Sequence, residues 1–208
     1  GRLVVVNCVV VGPKHSGDVT FYIHKTIDYL SSFVEPCDKA KAIFNRKHFV
    51  EHILPSMQIG EIVQEHGNPY YMKIDIEGYD HVVLEHLLDE GIKPEYLSVE
   101  LGHPKVIPLL SVKGGYNSFK ITEGFSVGVL YRKCMIESLQ GKEKFRFKAH
   151  SAGPFGADLR GRWSRLGYTQ RLAGFIGGGW RDVHASRIDR PVGVRFYLGI
   201  ELVKRFGL

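Results

Sequence analysis

The stretch PYYMKIDIEGYDHVVLEHLLDEGIKPEYLSVE, from Pro69 to Glu100, decides the fold. Tyr70–Ile76 and Tyr96–Leu101 are two apolar segments rich in β-prone residues. Between them, apolar residues recur with the i, i+4 spacing of one helix face. The pattern predicts a β-α-β unit of two adjacent parallel strands, joined by a right-handed crossover helix that Asp80 caps and Gly91 ends.

Acidic residues stand at the carboxyl ends of both predicted strands. Asp75 lies at the end of the first strand with Glu77 directly after it, Glu100 ends the second strand, and His103 lies in the loop beyond it. Ligands of parallel α/β sheets bind outside the carboxyl ends of the strands, so we expect Asp75 and Glu100 to open on one crevice. A carboxylate there can serve as a general base, and His103 can share the proton transfer. The alternatives are structural: Asp75 and Glu77 can hold the turn at Gly78, and His103 can be an ordinary surface histidine.

These residues also resemble a known family. The segment KIDIEG at Lys73–Gly78, together with Asp80 and the Ser98–Glu100 segment, resembles the KIDxEG signature of FkbM-type methyltransferases. Members of that family depend on S-adenosylmethionine (SAM) and typically methylate oxygen. Other segments resemble the family as well: VVVNCVVVG around Asn7, GYNSFK at Gly115–Lys120, SAGPFGADLRGRW at Ser151–Trp163 and WRDVHA at Trp180–Ala185.

The resemblance implies an α/β fold of the Rossmann-like class I methyltransferase type, with a mostly parallel sheet in the strand order 3-2-1-4-5-7-6. Leu3–Val11 would be the third strand and Tyr70–Ile76 the fourth. The family's glycine-rich SAM turn is therefore expected to precede Gly1, which makes the fold N-terminally incomplete. Residues 1–122 are expected to form a partial core, and residues 123–208 a basic extension rich in Gly and Arg that completes the same domain.

Two expectations follow from the missing strands. Leu3–Val11 should pair with Val19–His24 as a hairpin or slide inward to pair with Tyr70–Ile76, because unpaired strand edges are costly. The SAM pocket should be incomplete, so the 208-residue chain should bind SAM weakly or not at all.

The resemblance also assigns roles. It implies methyl transfer from SAM to a hydroxyl of a sugar or another small natural product. Asp75 and Glu77 are expected to bind SAM, and Asp75, Glu100 and His103 to be catalytic. Two alternatives stay open: a non-catalytic binding remnant of a methyltransferase, and a nucleic-acid-associated module.

A metal site is a further alternative, although no metal is included in the predicted site. Asp182 and His184 alternate in WRDVHA and would share one face of a strand. With Asp75 and Glu100 they offer oxygen and imidazole ligands for a divalent cation. Distance in the sequence gives no proof that the four residues meet.

Composition sets the outer limits. A hydrophobic content of 44% is sufficient for a substantial core, and no apolar run reaches the roughly 20 residues of a membrane-spanning helix. The three cysteines are far apart, which fits a reducing compartment and predicts a cytoplasmic protein.

Charge is distributed unevenly along the chain. Residues 1–104 hold 9 Lys and Arg against 15 Asp and Glu, whereas residues 105–208 hold 19 against 7. A solvated basic surface explains this split, and so does an anionic partner. The predicted partner is a small molecule or glycan that can carry negative charge. The absence of a recognised motif argues against nucleic acid.

The remaining elements are less sharply marked. A helix capped by Ser56 should end near Gly67, a short helix should cover Lys105–Val112 and a strand Ser118–Thr122. Three further stretches are a short helix over 38–49, a cap, substrate-binding insertion or loop within 123–180, and a final apolar segment at 195–203.

Overall fold

The structure, a computed structural model, describes residues 3–27, 30–36, 45–138, 140–148, 151–175 and 180–191. The chain divides into two compact units. The first unit consists of residues 1–69 and 74–93, and the second of residues 70–73 and 94–208.

The first unit contains a three-stranded sheet and two helices. Its strands are β1 (Val9–Val11), β2 (Asp18–His24) and β3 (Phe49–Gln58), in the order β1-β3-β2. The central strand β3 runs parallel to β1 and antiparallel to β2. Helix α1 (Ile59–His66) follows β3 directly. Helix α2 (Asp80–Asp89) is followed by Glu90 and then Gly91, whose φ of 73° lies in the left-handed region that suits glycine.

Several expectations for the first unit are wrong. Only the last three residues of Leu3–Val11 form a strand, and the side chains of Leu3–Val6 are exposed. That strand pairs with β3 and with neither predicted partner. The sequence reading missed β3 because Pro55 and several polar residues interrupt its alternation. Ser56 lies within β3 and donates a hydrogen bond to the Gly17 carbonyl, so it does not cap α1.

The second unit is built around a four-stranded sheet in the order β4-β5-β9-β6. The strands of this sheet are β4 (Tyr71–Ile74), β5 (Tyr96–Glu100), β6 (Ser118–Glu123) and β9 (Arg181–Ser186), and the last residue of β4 belongs to the first unit. Between β5 and β6 lie α3 (Val106–Pro108) and a π-helical turn (Leu109–Lys113). Between β6 and β9 lie α4 (Gly124–Leu130), β7 (Cys134–Ser138), β8 (Gly141–Phe145) and α5 (Leu166–Phe175). The predicted strands on either side of α2 are confirmed as neighbours, and the predicted elements at 105–112 and 118–122 are also present. The parallel direction of β4 and β5 stays a prediction.

The expected mostly parallel Rossmann-like sheet is wrong. Strand β9 runs antiparallel to both of its neighbours, β5 and β6, and β7 and β8 form a separate antiparallel hairpin. The described part of the chain is therefore mixed α/β, with three small sheets that combine parallel and antiparallel pairs. Local patterns located β2, β4, β5 and β6 but not β3, β7 or β8, and the pairing of a strand with distant segments is not visible in its own sequence.

The two faces of the central sheet differ in chemistry. In the register of the sheet, Leu97 and Phe119 flank Ala185, and Val99 and Ile121 flank Val183. These six residues form one buried apolar face. The opposite face carries three rows of polar residues across β5, β9 and β6: Tyr96, Ser186 and Ser118; Ser98, His184 and Lys120; Glu100, Asp182 and Thr122. Seven of these nine residues are buried, so polar groups on this face need partners within the protein.

A loop segment, residues 153–164, covers much of this polar face. The Phe155 ring stacks on Tyr71 with centroids 4.0 Å apart, and Trp163 lies 6.0 Å from Tyr96. Ser164 and Phe119 exchange two backbone hydrogen bonds of 2.8 and 2.9 Å. The sequence left a cap, a substrate-binding insertion or a loop open within residues 123–180. The described part between 153 and 164 is a cap on the sheet.

Two predicted stretches fall largely or wholly outside the described residues. Residues 37–44 are not described, and 45–49 hold a 3-10 turn and the first residue of β3 instead of a helix. The apolar segment at 195–203 lies outside the described residues altogether. No helix in the described ranges is both long and apolar enough to cross a bilayer.

Gly124 provides a test of the packing at the start of α4. A Cβ at this position would collide with the indole ring of Trp180, whereas a Cβ at Gly167 in α5 would meet nothing within 4 Å. We expect Gly124→Ala to lower the free energy of unfolding by about 1–3 kcal/mol, the range for overpacking. The matched control Gly167→Ala should raise it by about 0.5 kcal/mol or leave it unchanged. Urea unfolding measures both, and equal stabilities of the two variants would contradict the packing described here.

Candidate active site at the carboxyl end of β5

The loop after β5 places a histidine beside a strand end. Glu100 closes β5, and residues 101–105 turn the chain into α3. The Nδ1 atom of His103 accepts a hydrogen bond of 3.2 Å from the backbone N–H of Lys105. A neutral ring with an occupied Nδ1 carries its proton on Nε2, so His103 presents an N–H donor to its surroundings.

A pocket of about 360 Å³ opens next to this loop. Its lining comes from the β5–α3 loop, α3, α5 and the first residue of β9: Leu101, Gly102, His103, Pro104, Ile107, Pro108, Gln170, Ala173 and Arg181. The Nη1 atom of Arg181 donates a 2.9 Å hydrogen bond to the Ala173 carbonyl, which anchors the guanidinium against α5. The pocket thus has mostly apolar walls with an imidazole, an amide and a guanidinium.

Glu100 does not line the pocket but lies close to Gly102, which does. Its carboxyl carbon is 4.0 Å from the position that a Cβ of Gly102 would occupy, and Gly102 lines the pocket. Two of the predicted catalytic residues therefore lie close together in the second unit: Glu100 ends β5, and His103 lies in the loop that follows. Because residue 102 is a glycine, no side chain stands there between the carboxylate and the pocket.

An ion pair lies on the polar face of the sheet. The Lys73 ammonium is 2.6 Å from Oδ1 of Asp182 and 5.3 Å from the centroid of the Trp180 ring. The side chain of Asp182 is 1% exposed and that of Lys73 is 19% exposed. Asp182 lies directly across the strand pair from Glu100, so the ammonium reduces the repulsion between neighbouring carboxylates.

His184 is held by hydroxyls on both ring nitrogens. Nδ1 lies 2.6 Å from the Ser98 hydroxyl, and Nε2 lies 2.9 Å from the Thr122 hydroxyl. Burial lowers the pKa of His184 to about 3, and the positive charges of Lys73 and Lys120 add to the effect. The ring is therefore neutral at physiological pH and serves as a hydrogen-bonding bridge between β5, β9 and β6.

Lys120 is the second cation of the polar face. Its ammonium donates a 2.6 Å hydrogen bond to the Leu159 carbonyl and lies 4.5 Å from the centroid of Trp163. Burial lowers the pKa of Lys120 to about 8, while Asp189 acts in the opposite direction. Both contacts tie β6 to the covering segment at 153–164, which gives Lys120 a structural role.

The other predicted site residues belong to the first unit. Asp75 and Glu77 are exposed on the turn before α2, and Glu77 has a φ of 29° in the left-handed region. Asp80 is buried, and its Oδ1 accepts a 2.9 Å hydrogen bond from the Ile76 N–H. Burial raises the pKa of Asp80. Asp80 is the first residue of α2 and holds the preceding turn, so its predicted role as helix cap is wrong.

The metal alternative loses two of its four ligands. Asp182 and His184 do share one face of β9, as expected. However, Asp182 is bound to Lys73, and both ring nitrogens of His184 are within hydrogen-bond distance of hydroxyls. Neither residue is available to a cation in this arrangement.

The chain matches no protein-family model, no curated protein and no solved structure.

Sequence reasoning missed the residues that complete this site. In the sequence Lys73 is only the first letter of KIDIEG and Arg181 only one letter of WRDVHA, and neither motif marks them as site residues. The sequence did contain a sign of buried cations. Lys73 and Lys120 each lie between apolar residues within a predicted strand. Such residues need a buried partner or a route to water.

The ion pair predicts unequal effects for its two partners. In Lys73→Met the Asp182 carboxylate stays buried without its ammonium, which should lower the free energy of unfolding by about 3 kcal/mol or more. In Asp182→Asn the lysine keeps an oxygen acceptor and reaches solvent, so we expect a loss of about 1 kcal/mol. Urea unfolding of both variants measures the difference. A Lys73→Met variant as stable as the wild type would show that the pair contributes nothing.

His184 predicts a pH dependence of stability. Its pKa is lowered from 6.5 to about 3 by burial, so its contribution is complete above pH 6.5 and is lost as the pH falls towards 3. Within that window the wild type should lose up to about 1.4 kcal/mol per pH unit from this group. His184→Gln should be less stable at neutral pH but should lack this component. Parallel stability curves for the two proteins between these pH values would refute the assignment.

Proposed function

We propose that the chain takes part in SAM-dependent methylation of a hydroxyl group, with the pocket beside His103 as the acceptor site. The observation that carries the proposal is the position of that pocket. It lies just beyond the carboxyl end of β5, where α/β proteins bind ligands, and its volume falls in the range of small-molecule sites.

The sequence resemblance gives further support. The segments that carry the resemblance, KIDIEG, GYNSFK and WRDVHA, contain residues of β4, β6 and β9.

Two residues suit the methyl donor. Asp75 and Glu77 are exposed carboxylates at the end of β4, and carboxylates accept hydrogen bonds from ribose hydroxyls and pair with ammonium groups. When bound, SAM supplies an activated methyl group on a sulfonium.

Glu100 and His103 have different roles towards the acceptor. Glu100 would accept the proton of the acceptor hydroxyl, which would leave the oxygen able to take the methyl group that SAM supplies. His103 donates a hydrogen bond through Nε2 and fixes the orientation of the acceptor, because its Nδ1 is already occupied. Orientation and deprotonation are the two contributions that such a transfer needs from the protein.

Arg181 indicates the class of acceptor. A guanidinium in a small pocket binds carboxylate or phosphate groups, so the acceptor is a small molecule or glycan unit that carries a negative charge near its hydroxyl. The predicted cytoplasmic location rests on the cysteine pattern and belongs to the same proposal.

The role of Glu100 can be tested with a matched control on the same strand. Methyl transfer from radiolabelled SAM to hydroxy acids and sugar phosphates is measured at high SAM concentration, because the sequence predicts weak SAM binding. Glu100→Gln should lower turnover by about 100-fold or more, the scale of general-base catalysis. Glu95→Gln, an exposed glutamate just before β5, should leave turnover unchanged.

His103 variants test the donor role separately. His103→Gln keeps an N–H donor and should retain more activity than His103→Ala. Equal loss in the two would assign proton transfer to His103 instead. SAM binding without transfer to any acceptor would favour the non-catalytic alternative, and a chain that neither binds SAM nor transfers its methyl group would overturn the proposal.

A further inference from the structure

A two-stranded hairpin in the second unit carries a concentrated positive charge. Residues 132–148, which include β7 and β8, hold six Lys and Arg against two Glu. The cations are Arg132, Lys133, Lys142, Lys144, Arg146 and Lys148, and all six are exposed. The hairpin forms a sheet of its own and pairs with no other described strand.

One face of the hairpin is tied to the protein. Cys134 pairs with Phe145, and Ile136 with Glu143, on this face. Cys134 in β7 and Phe147, just beyond the end of β8, pack against the buried cluster of Val127, Tyr131 and Leu159. The Phe147 and Phe145 rings meet edge to face, with centroids 4.9 Å apart. This packing fixes which face of the ribbon points away from the core.

The opposite face is mainly basic, with one acidic position, Glu137, paired with Lys142. Lys142, Lys144 and Arg146 alternate along one side of the chain, so their side chains share this face. Met135 is paired with Lys144 on the same face and is 53% exposed.

Helix α4, which directly precedes the hairpin, also exposes apolar side chains. Phe125 is 60% exposed and Val129 is 61% exposed, and their i, i+4 spacing places them on one helix face. The opposite side of α4 buries Val127 in the same cluster that holds the hairpin. Exposed apolar and cationic side chains therefore occur next to each other in one anchored region, residues 124–148.

We propose that residues 124–148 dock onto an anionic phospholipid surface. Lys and Arg side chains near such a surface are attracted by its negative potential, and exposed apolar side chains gain by entering the boundary between headgroups and acyl chains. Charge alone would also suit nucleic acid, but Met135, Phe125 and Val129 give the lipid surface a second contribution. This surface binding does not depend on the proposed methyl transfer and involves no membrane span.

Vesicle sedimentation tests the proposal on the full chain. Vesicles of phosphatidylcholine are compared with vesicles that also contain phosphatidylserine, and binding is expected only to the latter and to weaken as salt is raised. Lys142→Gln/Lys144→Gln should weaken binding roughly 30-fold at low salt, since each cation contributes about fivefold. The control Lys14→Gln/Lys47→Gln removes the same charge from exposed positions in the first unit and should bind like the wild type.

A second variant separates specific docking from general charge attraction. Met135→Ser keeps every charge of the hairpin and should weaken binding to phosphatidylserine vesicles without changing its salt dependence. Far-ultraviolet circular dichroism and urea unfolding check that each variant is folded. Equal binding of the two double variants would overturn the proposal, and so would tighter binding to single-stranded RNA than to vesicles with the same dependence on Lys142 and Lys144.

Discussion

The burial of a polar sheet face is the constraint on which the second unit depends. Ser98, His184 and Lys120 form a row across β5, β9 and β6, and each needs a partner because desolvated polar groups are costly. The neutral His184 ring bridges two hydroxyls, and Lys120 binds the Leu159 carbonyl. These bonds fix the register of three strands, since a slip of one residue would bring apolar side chains to this face.

The same polar face connects stability to the candidate site. Asp182 is neutralised by Lys73, and its neighbour in the chain, Arg181, lines the pocket beside His103. The ion pair thus holds the start of β9 in the position from which Arg181 reaches α5. A loss of Lys73 would therefore affect the pocket through the backbone of β9 as well as through stability.

The two proposed functions use different kinds of residue: the pocket beside His103 is mostly apolar, whereas the charged residues of the hairpin at 132–148 are mostly cationic. The pocket contains few polar groups, and the chemistry proposed for it depends on Glu100 and on the Nε2 side of His103. The hairpin at 132–148 packs one face against the protein and exposes six cations. The basic half of the sequence is consequently not one uniform surface: Lys120 is buried and structural, Arg181 lines a pocket, and the hairpin cations face solvent.

The sequence by itself determined the elements between Tyr70 and Glu100, the strand at β6, and the position of Glu100 and His103 after a buried strand, because these depend on local periodicity and turn residues. Only the tertiary structure decided that β9 lies between β5 and β6, that β1 pairs with β3, and that Asp182 meets Lys73 although the two are 109 positions apart. The reason is physical. Helix and strand patterns arise from neighbours in the chain, whereas strand pairing and buried ion pairs are chosen by competition among distant segments that no local window contains.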